Sequence, residues 1–238
     1  MGQKVRPTGF RVGIMTGWAG QWFAGKADFS DLLLEDAKIR AYVKKKFKRS
    51  GISKIRIERT REKVVVQIHS AKVGVIIGKK GAEIEKLTKD LEDLTHRHIE
   101  VKTFEVNNPM TEPQLIAEDI AEQLEKRSSF RKTLKRSIEQ TMEAGAKGVK
   151  VQLAGRLGGS EMARCELAMQ GSIPLSTLRA KVEYGFAEAS TAQGNIGIKV
   201  WVNNGDYLNN DESANTPSSP PPGMPKGRRR GPGGPRRG

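Results

Sequence analysis

Apolar and polar residues alternate with a period of two along some stretches of this chain and recur at helical spacing along others, and the order of the two periods sketches the fold. Ile39, Tyr42, Val43 and Phe47 share one helical face. Ile55 and Ile57 then alternate with Arg56 and Glu58, and Val64, Val66 and Ile68 with Val65 and Gln67. These runs predict two strands joined as a hairpin across Thr60-Arg61-Glu62. Ile84, Leu87, Leu91 and Leu94 return to the helical period, and Ile99, Val101 and Thr103 alternate as a third strand.

Asn107-Asn108-Pro109 breaks the pattern and sets a boundary. Thr111-Glu112-Pro113-Gln114 has the form of a capping box with proline in the first turn. The helix it opens buries Ile116, Ile120, Ala121 and Leu124, and turns Glu118, Asp119, Glu122 and Glu125 to solvent. A second helix places Phe130, Leu134, Ile138 and Thr141 on one face. Gly145-Ala146-Lys147-Gly148 is a turn. Strands are predicted at Val149, Val151 and Leu153, at Leu167 and Met169, from Leu178 to Tyr184, and at Ile196, Ile198, Val200 and Val202, the last with Lys199 and Trp201 on its other face. From Leu208 the pattern ends, and seven of the eleven prolines fall in Pro217–Pro235. That segment, with Lys226, Arg228, Arg229, Arg230, Arg236 and Arg237, predicts a disordered basic tail. The fold class is α+β in two domains. The expected divisions are an arm over 1–29, a first domain over 30–106, a linker over 107–110, a second domain over 111–207 with two helices and four strands, and a tail over 208–238.

Between the hairpin and the helix after it lies Val75-Ile76-Ile77-Gly78-Lys79-Lys80-Gly81-Ala82-Glu83-Ile84. Gly78 and Gly81 lack a Cβ, so another backbone can approach closely. The unpaired N–H groups of the helix start favour an anion, and Lys79 and Lys80 add two cations. This is a clamp for a sugar-phosphate backbone. The order helix, strand, strand, helix, Gly-x-x-Gly, helix, strand resembles the prokaryotic-type (type II) KH fold. The plainer alternative is an ordinary turn between two helices. A nucleotide-binding P-loop is excluded by count: Gly74 and Gly78 enclose three residues, and no Ser or Thr follows Lys79.

Charge sharpens this picture. Forty-two Lys and Arg against 27 Asp and Glu leave +15, which points to a polyanion. A membrane surface is the competing polyanion, but no apolar run has the length of a spanning helix, and the first residues lack a signal pattern. Met1-Gly2 is followed by Arg6 where myristoylation needs Ser or Thr. The single Cys165 fits a reducing compartment and a cytoplasmic protein. Aromatic residues are few, so phosphate and shape contacts are expected to outweigh base stacking.

The cations cluster. Lys44, Lys45 and Lys46, with Lys48 and Arg49, end the first helix, partly as complements to its dipole and partly as a phosphate-facing patch. Lys126, Arg127, Arg131, Lys132, Lys135 and Arg136 form a run without an acidic residue, in which Arg131, Lys132, Lys135 and Arg136 crowd one arc beside the apolar face. Gly155-Arg156-Leu157-Gly158-Gly159 reads as a flexible basic loop. The arm carries Lys4, Arg6, Arg11 and Lys26, with Trp18, Trp22 and Phe23 among glycines. It reads as irregular, either lying along RNA or strapped over its own domain, and for the tryptophans the strap is the preferred reading. His96 and His98 lack a third metal ligand, and the carboxylates form no catalytic arrangement, so no enzyme activity, metal or cofactor is expected.

Several stretches together carry a family likeness: Met1-Gly2-Gln3-Lys4-Val5 with Pro7, Ile77-Gly78-Lys79-Lys80-Gly81, Gly155–Gly159 before Ala163-Arg164, Pro174-Leu175 with Thr177-Leu178-Arg179-Ala180, and Gly197-Ile198-Lys199-Val200-Trp201. Over about residues 1–204 the chain closely resembles the bacterial-type small ribosomal subunit protein three family. The resemblance implies a structural protein that binds small-subunit rRNA in the head of the subunit, beside other small-subunit proteins, and helps line the channel where mRNA enters. It also implies that Arg131, Lys132 and Lys135 match basic residues implicated in holding or opening incoming mRNA, with Lys132 where an Arg is also found. The positions expected to meet RNA are Gly78, Lys79, Lys80, Gly81, Lys44, Lys45, Lys46, Arg127, Arg131, Lys132, Lys135, Arg136, Arg156 and Arg164. Two other readings stand beside it: a free KH-type regulator of transcription or mRNA, which has no need of the Gly-Arg-Leu-Gly-Gly loop, and a nuclease, which needs metal-dependent turnover.

Overall fold

The computed structural model describes residues 4–60 and 63–207. The expected hairpin tip at Arg61-Glu62, the side chain of Lys80, the first three residues and the expected tail lie outside the described residues. In chain order the elements are α1 (Pro7–Arg11), β1 (Gly20–Gln21), α2 (Phe29–Lys46), β2 (Ile52–Arg59), β3 (Val64–Ser70), α3 (Val73–Ile77), α4 (Ala82–Thr95), β4 (Ile99–Glu105), α5 (Pro113–Glu125), α6 (Phe130–Glu143), β5 (Gly148–Gly155), β6 (Arg164–Gly171), β7 (Ala180–Thr191) and β8 (Gly194–Asp206).

The first sheet has the order β1-β2-β3-β4. β2 and β3 are antiparallel with Ile57 opposite Val66, and β3 and β4 are parallel with Val66 opposite Val101. A parallel return needs a crossover, and α3, the two-glycine turn and α4 supply it. Ile39, Val43, Ile57, Val66, Ile68, Ile76, Leu87 and Leu91 are fully buried between this sheet and its helices. Leu94, expected on the apolar face of α4, is 45 % exposed. Thr95 lies one turn beyond Leu91 and takes that place, with its hydroxyl donating to the Leu91 carbonyl.

The second sheet is antiparallel in the order β6-β5-β8-β7, with α5 and α6 on one face. Val149, Val151 and Leu153 of β5 meet Ile198, Val200 and Val202 of β8 beneath Ile116, Ile120, Leu124, Leu134 and Ile138. β7 runs to Thr191, well past the predicted Tyr184, because every residue from Glu183 on has a partner in β8. The expected capping box does not form. Glu112 is the N-cap, without a side-chain cap, and Pro109–Thr111 make a tight turn in which the Thr111 hydroxyl donates to the Asn108 carbonyl. The Glu112 carboxylate instead accepts from the Ser53 hydroxyl at 2.7 Å, and Lys54 reaches Glu183 at 2.8 Å, so β2 is tied to the second domain.

The arm is the largest departure from expectation. α1 lies against β7, and β1 pairs in parallel with β2 at Ile57 and Glu58. Arg11 is fully buried. Its guanidinium donates to the carbonyls of Ala180 at 2.8 Å, Thr177 at 2.7 Å, Pro174 and Leu175 at 3.3 Å, and Pro7 at 3.2 Å. Further along, the Trp22 indole donates to Asp36, whose buried carboxylate also takes Arg59. Trp18 and Phe23 are exposed. The strap reading therefore applies to Trp22, and the arm bridges both domains. Arg11→Met is expected to cost about 2–3 kcal/mol, because it leaves buried carbonyls without a donor. Urea denaturation followed by tryptophan fluorescence measures it.

Candidate nucleic-acid interface

Three features place the predicted residues. The first is the turn after α3. Gly78 has φ 71° and ψ −172°, and Gly81 has φ 83° and ψ 2°. The two glycines do different work. A Cβ on Gly78 would stand 2.5 Å from the Glu83 Cγ, 2.8 Å from its Cβ and 3.2 Å from its backbone N, so Gly78 is required by the chain's own packing. A Cβ on Gly81 would meet nothing within 4 Å, so that side of the turn is open to a ligand. The expectation that both glycines make room for another backbone is corrected at Gly78. Lys79 is exposed, and Val75 and Ile77 flank the turn at 49 % and 38 % exposure while Ile76 is buried. The sequence does not announce that outward apolar pair, because all three branched residues look like core.

The second is the end of α2. Lys44 and Lys45 are exposed. Lys46 is not part of a phosphate-facing patch: it is half-buried and paired with Asp90, which also accepts from the Tyr42 hydroxyl at 2.6 Å. These two hydrogen bonds, from Lys46 and then Tyr42, hold the Asp90 carboxyl below its ordinary range. Lys44, Lys45, Lys48, Arg49 and Lys72 line one wall of a groove of about 1380 Å³ between the domains, and Glu118, Asp119, Glu122 and Glu125 of α5 line the other. The acidic face of α5, expected only to meet solvent, faces cations: Lys126, and more weakly Arg49 and Lys48, hold the Glu122 carboxyl below its usual range.

The third is α6. Arg131, Lys132, Lys135 and Arg136 are all exposed on it, above buried Thr133, Leu134, Ser137, Ile138 and Thr141. Arg127 is not on the helix. α5 ends at Glu125, and Arg127 sits in the connecting turn with φ 60°. The run lacks internal acids, but two of its lysines find carboxylates one turn away: Lys126 with Glu122 at 2.6 Å and Lys135 with Glu139 at 3.7 Å. Among the described residues Arg131, Lys132 and Arg136 pair with no carboxylate. Arg164, exposed at the start of β6, joins this cluster across the Phe130 ring. Arg156 does not. Its Nε donates to the Ser160 carbonyl at 2.8 Å and its Nη1 to the Gln193 carbonyl at 3.1 Å, while Leu157 is buried. The loop expected to be flexible and basic is pinned, and Arg156 is the pin.

Among the described residues no group of three or more His, Cys, Asp or Glu side chains is gathered for a metal, and no helix is long and apolar enough to cross a membrane. What the surface presents is a two-glycine turn with an open side and a basic helix held by a buried core.

Comparison with known proteins matches both halves. The profile of the KH domain covers residues 38–111, and that of ribosomal protein S3, C-terminal domain, covers residues 120–202. The small ribosomal subunit protein uS3 of Rhodopirellula baltica is 54 % identical over 231 residues, spanning 95 % of this chain and 98 % of that protein. The protein of the same name from Desulforamulus reducens is 51 % identical over 208 residues, 87 % of this chain and 94 % of that one. That from Syntrophomonas wolfei is 46 % identical over 220 residues, 92 % and 96 % of the two. With both domains matched and nearly the full length of these relatives spanned, the chain belongs to the small ribosomal subunit protein uS3 family.

Proposed function

We propose that this chain is a structural constituent of the small ribosomal subunit that binds small-subunit rRNA in the head and, through α6, lines the channel where mRNA enters. The observation that carries the reading is the α6 row. Arg131, Lys132 and Arg136 are exposed and, among the described residues, pair with no carboxylate, on a helix whose other face is fixed in the core. Like charges one turn apart repel by about 0.2–0.5 kcal/mol a pair, and a phosphate backbone relieves them. The KH turn offers a second contact to RNA, through Gly81, Lys79 and the adjoining apolar pair. The role is not enzymatic; any opening of mRNA structure draws on the movement of the ribosome, with the helix holding a strand. Lys132 holds phosphate as a point charge, without the bidentate fork of an Arg. The edge strand β6, with Leu167 and Met169 at 50 % and 65 % exposure, is a surface suited to neighbouring small-subunit proteins. The protein works in the cytoplasm, on the ribosome.

The test is the salt dependence of binding to a single-stranded RNA. Replacing Arg131, Lys132 and Lys135 together by Ala is expected to weaken binding about 10- to 100-fold and to lower the slope of log K against log salt by about 2, near 0.7 for each phosphate no longer held. An unchanged slope removes α6 from the interface. Sedimentation of cell extract addresses the assembly: migration with small subunits is expected, and migration only as free protein favours the free KH-type regulator.

A further inference from the structure

Phe130 opens α6 and stands where three elements meet. Its ring is half-buried against the second core. The pinned loop backs it, since a Cβ on Gly158 would lie 3.8 Å from its Cε1. The guanidinium carbons of Arg131 and Arg164 lie over the ring, 5.7 and 5.4 Å from its centroid. One arginine comes from α6 and the other from β6.

We infer that Phe130 is a positioning residue for RNA: its ring holds Arg131 and Arg164, from two different elements, at one rim so that both meet the same strand. This deepens the interface proposed above and rests on that reading. The physical argument concerns what a guanidinium has left to give. A cation over a ring is held by the ring's quadrupole, and the N–H donors at its edge stay available. Arg156 and Arg59 are held differently. Arg156 donates to two carbonyls, and Arg59 to the carboxylates of Asp36 and Glu35, so their donors are already taken. Arg131 and Arg164 rest against the ring, and among the described residues their guanidinium groups make no hydrogen bond or ion pair, which leaves the donors that bidentate capture of a phosphate needs. A long side chain without such support loses its rotamer freedom only on binding, at a cost to affinity. The core contact alone asks only for an apolar side chain, and a Leu would provide it.

The experiment uses the full chain and a fluorescent oligouridine, with Kd measured across a range of KCl. Phe130→Leu keeps the apolar contact and removes the ring; Phe130→Tyr keeps both. The Leu variant is expected to bind about three- to tenfold more weakly, with the salt slope lower by about 0.7. The Tyr variant is expected to bind within about twofold of the parent. Parental Kd and slope in Phe130→Leu, while Arg131→Ala and Arg164→Ala each lose affinity, overturn the positioning role and leave the interface standing. Parental behaviour in the two arginine variants overturns the interface and this role with it. A measurement without RNA guards against misfolding of the Leu variant. The Cδ protons of Arg131 and Arg164 in the unmutated protein are expected to be shifted upfield by the ring current, and random-coil positions at both overturn the proposal.

Discussion

Gly185→Ala is expected to destabilise the protein by about 4 kcal/mol, measured as a shift in urea midpoint at constant m. Gly185 lies in β7 under the first turn of α5, and a Cβ there would stand 2.3 Å from the Pro113 carbonyl oxygen, 2.4 Å from its carbon and 2.6 Å from the Gln114 nitrogen. All three are backbone atoms. The helix start is held on two further sides: the Gln114 side chain accepts from the Phe186 N–H at 3.2 Å and donates to its carbonyl at 3.1 Å, and Glu112 takes Ser53. Neither strand nor helix can give way alone. If α5 lifts, Ile116, Ala117 and Ile120 leave the core together. Gly197→Ala is the control. It lies one strand away, where a Cβ meets only ordinary contacts at 3.8 Å or more, and is expected to change stability by less than about 1 kcal/mol. A loss below about 1 kcal/mol at Gly185 as well means that the helix slides freely on the sheet, contrary to this packing.

The position of that helix was legible from its period, but not its closeness to the sheet, because a single glycine in a strand does not say what approaches it. The same limit runs through the chain. Alternation in β2, β3 and β8 and the helical spacing in α2, α5 and α6 report burial directly, and those elements stand where the pattern puts them. The arm carries no period. Arg11 finds four of its five carbonyl partners at residues 174–180, a contact no local pattern announces. Thr111 has the spacing of a cap, but Pro109 directs it into a turn first.

Among the cations, sequence shows the charge and hides the partner. Lys44, Lys45 and Lys46 read as one patch because they are consecutive. Successive helical residues point about 100° apart, however, and Lys46 lies one turn beyond Tyr42, on the half-buried side. That signal was present in the spacing. The carboxylate that holds Lys46 comes from α4 and was not. Arg156 is a similar case: a basic residue among glycines reads as mobile, yet Leu157 beside it is core, and the loop is fixed by its own arginine. On α6 the reverse holds. The amphipathic period alone put Arg131, Lys132, Lys135 and Arg136 outward, and they are exposed.

The two glycines of the KH turn are expected to separate fold from binding. Gly78→Ala is expected to lose both stability and RNA affinity. Its φ and ψ fall in a region that only glycine occupies readily, at a cost of about 1–3 kcal/mol for another residue. The added Cβ also meets Glu83. The Glu83 Cγ can swing away, but its Cβ and backbone N, at 2.8 and 3.2 Å, move only with α4, so a total loss of about 3 kcal/mol follows. Gly81→Asn is the informative partner. Its left-handed conformation suits Asn at little cost, and the new Cβ meets nothing within 4 Å, so stability is expected to stay within about 1 kcal/mol. In the proposed function a strand enters on that side of the turn, so RNA affinity is expected to fall about tenfold or more, because the Asn side chain blocks the close approach that bare glycine permits. Urea denaturation and RNA titration on the same preparations give both numbers. Full RNA affinity in Gly81→Asn moves the strand off the open side of the turn and leaves α6 as the principal contact; loss of affinity at unchanged stability assigns the open side to RNA in a way that Gly78→Ala, which disturbs both, never could.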